Sequence, residues 1–517
     1  TQHSNSTQTQ GSQINAGGNA TLIASGGGQD STLTIRGSDA AGLGGTHLVA
    51  DNRIELLAAQ QTASERSQNK SSGFNAGVAI DFGQGGASFG ITAGANYGKG
   101  HANSDETTWR HTHVGSSQSQ TTLQSAGDTT LKGAQVAGKG IKADIGGNLT
   151  IASLQDTATY DSKQQNISGQ VTIGYGVSAS GNYSQSNLKA DHASVTEQSG
   201  LYAGDDGYHI TVEQHTDLKG GLITSSQKAQ DAGKNSFSTA SLTHSAINNH
   251  SWHEGESFGI GAGISFNADL GLGKNAAAQS SAVQTDAQGQ PITDTRGHTI
   301  PASGLDSVQA NKAIGYGEDS ASQSSTTASG INTDNIRITD EAAQKQRSGH
   351  NAQETIAAIQ TRLSTATAAQ HAGVLTNTFN AEDIQEELDL QREITQQFDR
   401  NRQAARAEIT AQEKELRDQA NALEKAAHQA QAEGDTARAQ TLMSQSTRAS
   451  QQANRWQSGG LILNSLAGAL YGPNSNGATD TIAQAASPFV AQQIGEYFKQ
   501  SGAENSAGHI VAHTILG

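Results

Sequence analysis

The 517-residue chain contains no cysteine. Neither a disulfide framework nor a thiolate metal site is available to it. A protein that crosses a membrane unfolded gains from having no disulfide to form on the way. Aromatic residues make up 4%, hydrophobic residues 33%, and mean hydropathy is −0.55. That is too little apolar material for one thick globular core, and low hydrophobicity alone would favour disorder. Charged residues are also few, at 15%, with a net charge of −16 and a pI near 5.5. An acidic surface argues against binding a nucleic-acid backbone, which needs a basic one. There is no phosphate loop and no His-Glu-x-x-His pair, so the commonest nucleotide and zinc-peptidase signatures are missing.

What the chain has is glycine, 60 residues of it, and a strict alternation. In residues 71–97, Phe74, Ala76, Val78, Ile80 and Phe82 alternate with Asn75, Gly77, Ala79 and Asp81. After Gln84, Gly85 and Gly86 the alternation resumes with Phe89, Ile91, Ala93, Ala95 and Tyr97. A period of two is that of a strand with one apolar face, and the Gly-Gly reads as a hairpin turn. The pattern returns at Val171, Ile173, Tyr175, Val177 and Ala179, and again at Phe258, Ile260, Ala262, Ile264, Phe266, Ala268 and Leu270.

The repeats are regular. Gly73, Gly169 and Gly259 anchor the three stretches at spacings of 96 and 90 residues. An independent marker, Ile35-Arg36-Gly37, returns as Leu131-Lys132-Gly133 and Leu218-Lys219-Gly220, at spacings of 96 and 87. Two markers of similar period imply a long internal repeat and a stacked architecture. Short strands such as Thr21-Leu22-Ile23, Leu33-Thr34-Ile35, Leu48-Val49-Ala50 and Leu149-Thr150-Ile151 lie between Gly, Asp and Asn turns. A thin β-solenoid needs few large side chains per rung, which reconciles the periodic pattern with the low apolar content. The three alternating stretches are longer than the rung strands, so they are expected to project from the solenoid or cap a side of it. Their apolar faces either pack on the solenoid and each other or form a surface.

The composition shifts along the chain. Residues 1–275 read as the mainly β part, a parallel β-helix with hairpin extensions. Residues 276–335, with Pro291 and Pro301, read as a linker. Residues 336–457 change to helical spacing, with Ile384, Leu388, Ile394, Phe398, Ala405, Ile409, Leu416, Ala420, Leu423 and Ala427 as a seam. Asn380 and Asp383 are candidate N-caps, and a shorter helix is expected over residues 355–370. The helical part packs either on itself or on another protein. Residues 458–517 read as further helices; the apolar run from Gly460 to Leu470 is too short to span a bilayer. The polar start at Thr1 and the apolar end at Gly517 read as those of a segment from a longer protein.

Candidate chemistry is sparse. His111 and His113 lie two apart, and His244, His250 and His253 surround Trp252, but no carboxylates accompany them at a recognised ligand spacing. They are expected to be solvated strand or turn residues. Gly204-Asp205-Asp206-Gly207 reads as a tight turn, and the adjacent pairs Asp105-Glu106 and Glu386-Glu387 diverge too far for acid–base work. A polysaccharide-cleaving β-helix would need carboxylates clustered on one solenoid face, and none are found. No metal or cofactor is expected. The hairpins carry more information, because strands of about ten residues with one apolar and one small or polar face are typical of membrane β-strands.

Ala126-Gly127-Asp128-Thr129-Thr130-Leu131-Lys132-Gly133-Ala134, then Gly146-Gly147-Asn148-Leu149-Thr150-Ile151, then Gly200-Leu201-Tyr202-Ala203-Gly204-Asp205-Asp206-Gly207-Tyr208 follow one another in a familiar order. This order resembles the haemagglutinin repeats of large two-partner-secreted exoproteins of Gram-negative bacteria. These are the filamentous haemagglutinins and the CdiA-type contact-dependent growth inhibition effectors. The resemblance covers roughly residues 10–275. Gly459-Gly460-Leu461-Ile462-Leu463-Asn464 through Ala507-Gly508-His509-Ile510-Val511-Ala512-His513 is similar to the helical pretoxin region of the CdiA-type group. The family's Val-Glu-Asn-Asn motif, toxin domain and N-terminal secretion domain have no counterpart in this sequence.

The resemblance implies a secreted, cell-surface protein with an outer-membrane secretion partner. It also implies a C-terminal toxin in cis, and a target-cell outer membrane or surface receptor as the object of the repeats. The expectation is a non-catalytic segment that presents or translocates a toxin. The alternative is an adhesin filament segment that binds receptors or glycans. The residues expected to face the membrane or partner are Phe74, Val78, Ile80, Phe82, Phe89, Ile91, Tyr97, Val171, Ile173, Tyr175, Phe258, Ile260, Ile264 and Phe266.

Overall fold

The computed structural model describes residues 1–83, 86–174, 176–267 and 308–470, together with 283–285, 291, 292 and 302. A division of labour organises it: short strands stack in parallel into a solenoid, and long strands leave the solenoid to pair antiparallel beside it.

In the solenoid, each rung lies on the one before in parallel register. Gln13 lies on Asp39, Asn19 on Gly45 and Thr32 on Arg53. Like residues therefore stack inside. One column runs Leu48, Leu123, Ala143, Ile210, Phe237 and Ile336. Another runs Ile35, Leu56, Leu131, Ile151 and Leu218. Both columns belong to one buried core. Burying a Leu or Ile fully contributes roughly 1.5–3 kcal/mol, so a narrow interior suffices once it is continuous.

Seven strands form the second sheet, in chain order. They are β1 (Gln2–Thr7), β2 (Ala59–Gly83), β3 (Gly86–Arg110), β4 (Gln155–Ile173), β5 (Gly176–Val195), β6 (Ile247–Asn267) and β7 (Gln309–Thr327). The pair β2–β3 leaves the rung that ends at Leu57 and returns at Thr112. The pair β4–β5 leaves after Ala152 and returns at Gly200, and β6–β7 leaves after Ser245 and returns at Gly330. Each departure comes after two rungs. Strands pack about 4.8 Å apart whether parallel or antiparallel. Two rungs therefore rise about as far as one two-stranded hairpin is wide, and the three hairpins abut in a continuous sheet. This accounts for the sequence period of roughly 90 residues: two rungs and one hairpin.

The second sequence marker sits at the same corners. Gly37, Gly133 and Gly220 have φ of +52°, +66° and +57°. Each ends a rung strand against a residue near a hairpin base. A Cβ on Gly37 would meet Ala59 Cβ at 2.6 Å, one on Gly133 would meet Ala58 Cβ at 2.5 Å, and one on Gly220 would meet Ile247 Cδ1 at 2.8 Å. These positions need glycine twice over, for the left-handed backbone and for the close approach. At the base of the third hairpin, buried Asn249 accepts from Val195 N and donates to Thr327 Oγ1 and Gly373 O, tying β5, β7 and the following connector together.

The stretch expected to be a linker is partly strand. Residues 309–327 form β7, and Gly330–Ile331 and Ile336–Ile338 are rung strands. The alternation in β7 was muted because only Ile314 and Tyr316 are large apolar residues there, and a helix covers the strand's other face. The helical part begins at Glu341–Ser348 and Ala352–Ile359; residues 361–367, inside the expected shorter helix, are not helical. Two long helices follow, α1 (Ala381–Ala432) and α2 (Thr436–Leu470), and they pack on each other as a hairpin turned at Gly434, φ +83°. Asn380 caps α1, accepting from Glu382 N at 3.0 Å, and Asp383 lies in the first turn. Of the expected seam, Ile384, Leu388, Phe398, Ala405, Ile409, Ala420 and Ala427 are buried, and Ile394 is exposed. The two helices expected beyond residue 480 lie outside the described residues.

Gly133→Val is expected to lower stability by about 2–4 kcal/mol, from positive-φ strain plus overlap with Ala58 and Leu154. Gly17→Ala, with open space around it, should stay within about 0.5 kcal/mol. Urea unfolding midpoints of the two variants check this.

Candidate membrane-facing surface

Cross-strand partners share a face of the sheet. One row runs Val78, Ile91, Ile173, Val177 and Phe266 from β2 to β6. The next runs Ala76, Ala93, Val171, Ala179, Ile264 and Ala310. Two rows nearer the solenoid lie Tyr97, Ile167, Tyr183, Ile260 and Ile314. The three alternating stretches, about 90 residues apart in the chain, thus pool their apolar side chains on one face at one end of the sheet.

That face is open to solvent. Phe74 is 76% exposed, Val78 67% and Ile91 64%; Tyr97, Val171, Ile173, Phe258, Ile260 and Ile264 are also exposed, and Phe266 is half-buried. Ile80 and Phe89 are paired in register on β2 and β3, as are Phe82 and Ala87. The side chains of Ile80, Phe82 and Phe89, and all of Tyr175, lie outside the described residues. Ile167 and Ile314, not singled out in the sequence, join the face at 53% and 38% exposure. Their signal was present as alternation with Ser168 and Gly315. The pairing of β2 with β3 that carries these rows runs from Ser72 to Phe82, close to the roughly 9–11 residues that carry a strand across a bilayer.

The opposite face is small and polar. Its rows include Asn75, Gly94, Gln170, Ser180, Gly263 and Asn311. The N-terminal half of α1 lies on it, over β5–β7. Leu188 of β5 is buried with Ile384 and Leu388, beside Tyr160 and Phe379. Glycines permit the approach: a Cβ on Gly315 would overlap the backbone of Arg392, and one on Gly317 would meet Leu388 O at 2.6 Å.

The same helix closes one edge of the sheet. Gln391 Oε1, Thr395 Oγ1 and Asp399 Oδ2 accept from the backbone N–H groups of Glu318, Tyr316 and Ile314 at 2.8, 2.7 and 3.0 Å. Residues four apart on a helix share a face, so one helix face meets alternate amides of β7. Asp399 also pairs with Arg402 at 2.7 Å. The other edge is different. β1 pairs with residues 62–67 of β2, and residues 69–83 have no outer partner strand among the described residues. Unpaired edges invite strand addition.

Of the histidines singled out, His111, His113, His250 and His253 face carboxylates, and His111 is buried and not solvated as expected. His113 bonds Glu197 at 2.6 Å and Asp39 at 3.0 Å, and Asp39 also meets Arg110 at 2.6 Å. His250 faces Asp191 and His253 faces Asp319, on opposite faces of β6, while His244 lies on a rung strand. Among the described residues no group of three or more His, Asp or Glu is placed to hold a metal ion. Asp205 bonds Ser226 and Lys228, and Asp206 lies near Lys139 and Lys234. Residues 204–207, expected as a tight turn, instead lie within the strand Gly200–Lys219, at a break in its pairing register where Gly207 takes φ +72°. Two Gly-x-Ser-x-Gly strings, at Gly86–Gly90 and Gly255–Gly259, lie within strands and not on the strand-to-helix turn that exposes a nucleophile.

The hemagglutinin repeat family matches residues 1–167. Toxin CdiA of Escherichia coli is 33% identical over 362 residues, which is 68% of this chain and 11% of that protein. The chain belongs to the CdiA-type filamentous haemagglutinin family. The tRNA nuclease CdiA of Escherichia coli strain NC101 is 36% identical over 265 residues, 50% of this chain and 8% of the relative. The Deoxyribonuclease CdiA of Yersinia pseudotuberculosis serotype O:3 is 36% identical over 268 residues, 50% of this chain and 24% of the relative. The chain thus spans between 8% and 24% of the length of these relatives. No solved structure matches it. As a haemagglutinin-repeat chain of this family it is a secreted protein of the Gram-negative cell surface. No helix among the described residues is long and apolar enough to cross a membrane, which leaves strands out of account.

Thr395→Val keeps the shape but leaves the Tyr316 amide without its acceptor, at a cost of about 1–3 kcal/mol. Hydrogen exchange at that amide should quicken while solenoid amides stay protected. The histidine cluster sets a pH dependence. The hydrogen bond to Glu197 raises the value of His113 against the effect of burial. Its contribution is complete below the ordinary value of 6.5 and fades as pH rises through the raised one. Burial would raise the Asp39 and Glu197 carboxyls, but His113, with Arg110 at Asp39, holds them low. Their contribution is present above the ordinary carboxylate range and fades as pH falls through the lowered values. Burial depresses His111, so its protonation works against the fold as pH falls. The stability difference between wild type and His113→Gln should therefore peak near pH 5–6, at about 1 kcal/mol after solvent screening, and shrink above it. Melting curves of both proteins across pH 4–9 measure it.

Proposed function

We propose that this chain is a toxin-delivery segment of a contact-dependent growth inhibition exoprotein. It acts at the target-cell outer membrane through the seven-stranded sheet, presents or translocates a C-terminal toxin, and has no catalytic activity of its own. The observation that carries the reading is the pooling of exposed apolar residues from three hairpins onto one sheet face, over one bilayer-length of strand. The opposite face is lined by Gly, Ser, Thr and Asn, as in the interior of a membrane barrel. An apolar face of this size left open to water has a partner to meet. The relatives support a delivery role in another way. They are named for different activities, a tRNA nuclease and a deoxyribonuclease, yet match the same kind of stretch at 36% identity. A shared segment beneath differing activities is a carrier.

In this reading the solenoid is the scaffold that fixes hairpin height, and Phe74, Val78, Ile80, Phe82, Phe89, Ile91, Tyr97, Val171, Ile173, Tyr175, Phe258, Ile260, Ile264 and Phe266 face lipid or a surface receptor. Helix α1 holds the polar face and the β7 edge until contact is made. The outer-membrane secretion partner and the toxin act on the full-length protein.

Outer-membrane vesicles added to the whole chain should protect β2–β3 and β4–β5 from protease. Phe74→Asp with Ile91→Asp should abolish protection with little loss of stability, because both side chains are exposed, they are not cross-strand partners, and each charge costs on the order of 2–3 kcal/mol in hydrocarbon. Equal cleavage with and without vesicles would refute insertion and favour an adhesin stalk that binds receptors or glycans.

A further inference from the structure

Toward the solenoid the apolar face reaches the row that holds Tyr97 and Tyr183, and on β2–β4 the next two rows carry amines. Lys70 of β2 lies directly opposite Lys99 of β3, and Lys163 of β4 lies opposite His101 of β3. All four side chains share the apolar face, by register with Tyr97 and Ile167. They line a cavity of about 1060 Å³ together with Tyr97 and Gln165. Lys70 Nζ stands 5.7 Å from the Tyr97 ring centroid.

The charge here is not balanced. Like charges directly opposite one another in a sheet destabilise it, yet Lys70 faces Lys99. Among the described residues none of Lys70, Lys99 and Lys163 has an ion-pair partner. Neighbouring cations do: Arg66 pairs with Asp105 at 2.7 Å and His101 with Asp161 at 3.2 Å. Asp161, two residues from Lys163 on the same strand, also lies opposite Lys189, which is followed by Glu254 in register. Lys163 stands at the border, beside a groove it shares with Asp161, Glu254 and Glu256, where Asp161 pairs with His101. In a chain of net charge −16, Lys70 and Lys99, opposed and without an ion pair, with Lys163 next to them, mark a place where the counter-anion comes from outside. The level is also telling. Aromatic rings and lysines side by side at the end of an apolar belt are the arrangement of a bilayer interface, where amines meet anionic headgroups.

We propose that Lys70, Lys99 and Lys163 form a site for phosphate-bearing lipid headgroups of a Gram-negative outer leaflet, with His101 and Tyr97 at its border. The inference rests on the membrane reading above. It adds that binding is selective for phosphorylated lipid and that contact with the headgroup sets the depth of the hairpins.

The test uses the whole chain and flotation with two kinds of vesicle, phosphatidylcholine alone and phosphatidylcholine with lipopolysaccharide. The wild-type protein should partition more strongly to the second. The triple variant Lys70→Gln, Lys99→Gln, Lys163→Gln should lose roughly a hundredfold of that partitioning, about fivefold per lysine, and bind plain phosphatidylcholine as before. A second triple variant on the solenoid, Lys132→Gln, Lys142→Gln, Lys219→Gln, removes the same charge and should bind lipopolysaccharide vesicles like wild type. Unfolding midpoints guard against misfolding, and relief of the Lys70–Lys99 repulsion should leave the first variant at least as stable as wild type. If wild type binds both vesicles alike and the first variant matches it, the headgroup site is refuted and the membrane reading stands. If wild type floats with neither, both fall. If millimolar inorganic phosphate at constant ionic strength erases the selectivity, the site takes free phosphate and the lipid assignment is wrong.

Discussion

Everything in this molecule depends on the hydrogen-bonding distance between neighbouring strands. The solenoid climbs one strand spacing per rung, and the projecting sheet widens one strand spacing per strand. A two-stranded hairpin inserted after every second rung therefore meets the next hairpin edge to edge. Were a hairpin to leave every rung, the strands would collide; were it to leave every third, a gap would open. The pairing of Val78 with Ile91, Ile173, Val177 and Phe266 across the sheet is the direct consequence. The marker glycines serve the same constraint at the corner where the chain passes from one rung to the next, packed against a residue near a hairpin base.

The sheet so formed has two chemically different faces, and the fold treats them differently. The small, polar face admits a helix, because glycine at 255, 259, 315 and 317 lets α1 approach the backbone. The apolar face receives no cover from the described residues. The edges are unequal as well. Gln391, Thr395 and Asp399 satisfy the amides of β7, while most of β2 offers its outer edge. A soluble protein usually hides apolar faces and leaves polar ones wet. Here the polar face is the protected one, which is the inversion expected of strands whose apolar side has another solvent to meet.

Much of this was legible in the residues. The period of two named the strands, the spacings of 96 and 90 residues named the repeat, and Leu131-Lys132-Gly133 with its two counterparts named the corners. The helical seam from Ile384 to Ala427 was read at nearly the right positions. Other features were hidden for physical reasons. β7 carries only Ile314 and Tyr316 as large apolar residues, because α1 lies on its other face and supplies what packing it has, so it passed as linker. The capping of β7 by Gln391, Thr395 and Asp399 has no local signature, because polar residues four apart are common on any helix face. The lysine cluster was invisible, since Lys70, Lys99 and Lys163 are scattered over 94 positions and meet only through cross-strand register.

By itself the sequence determined local geometry: which stretches are strands, which side chains share a face, and where glycine is required. These follow from the two-residue pleat and from steric limits on φ, which act within a few bonds. Only the tertiary structure decided that three hairpins make one sheet, which of its faces stays open, and which charges stand together. Those outcomes depend on neighbours some 90 residues away along the chain, set by rung height and pairing register. No local pattern contains that distance until the rungs are stacked.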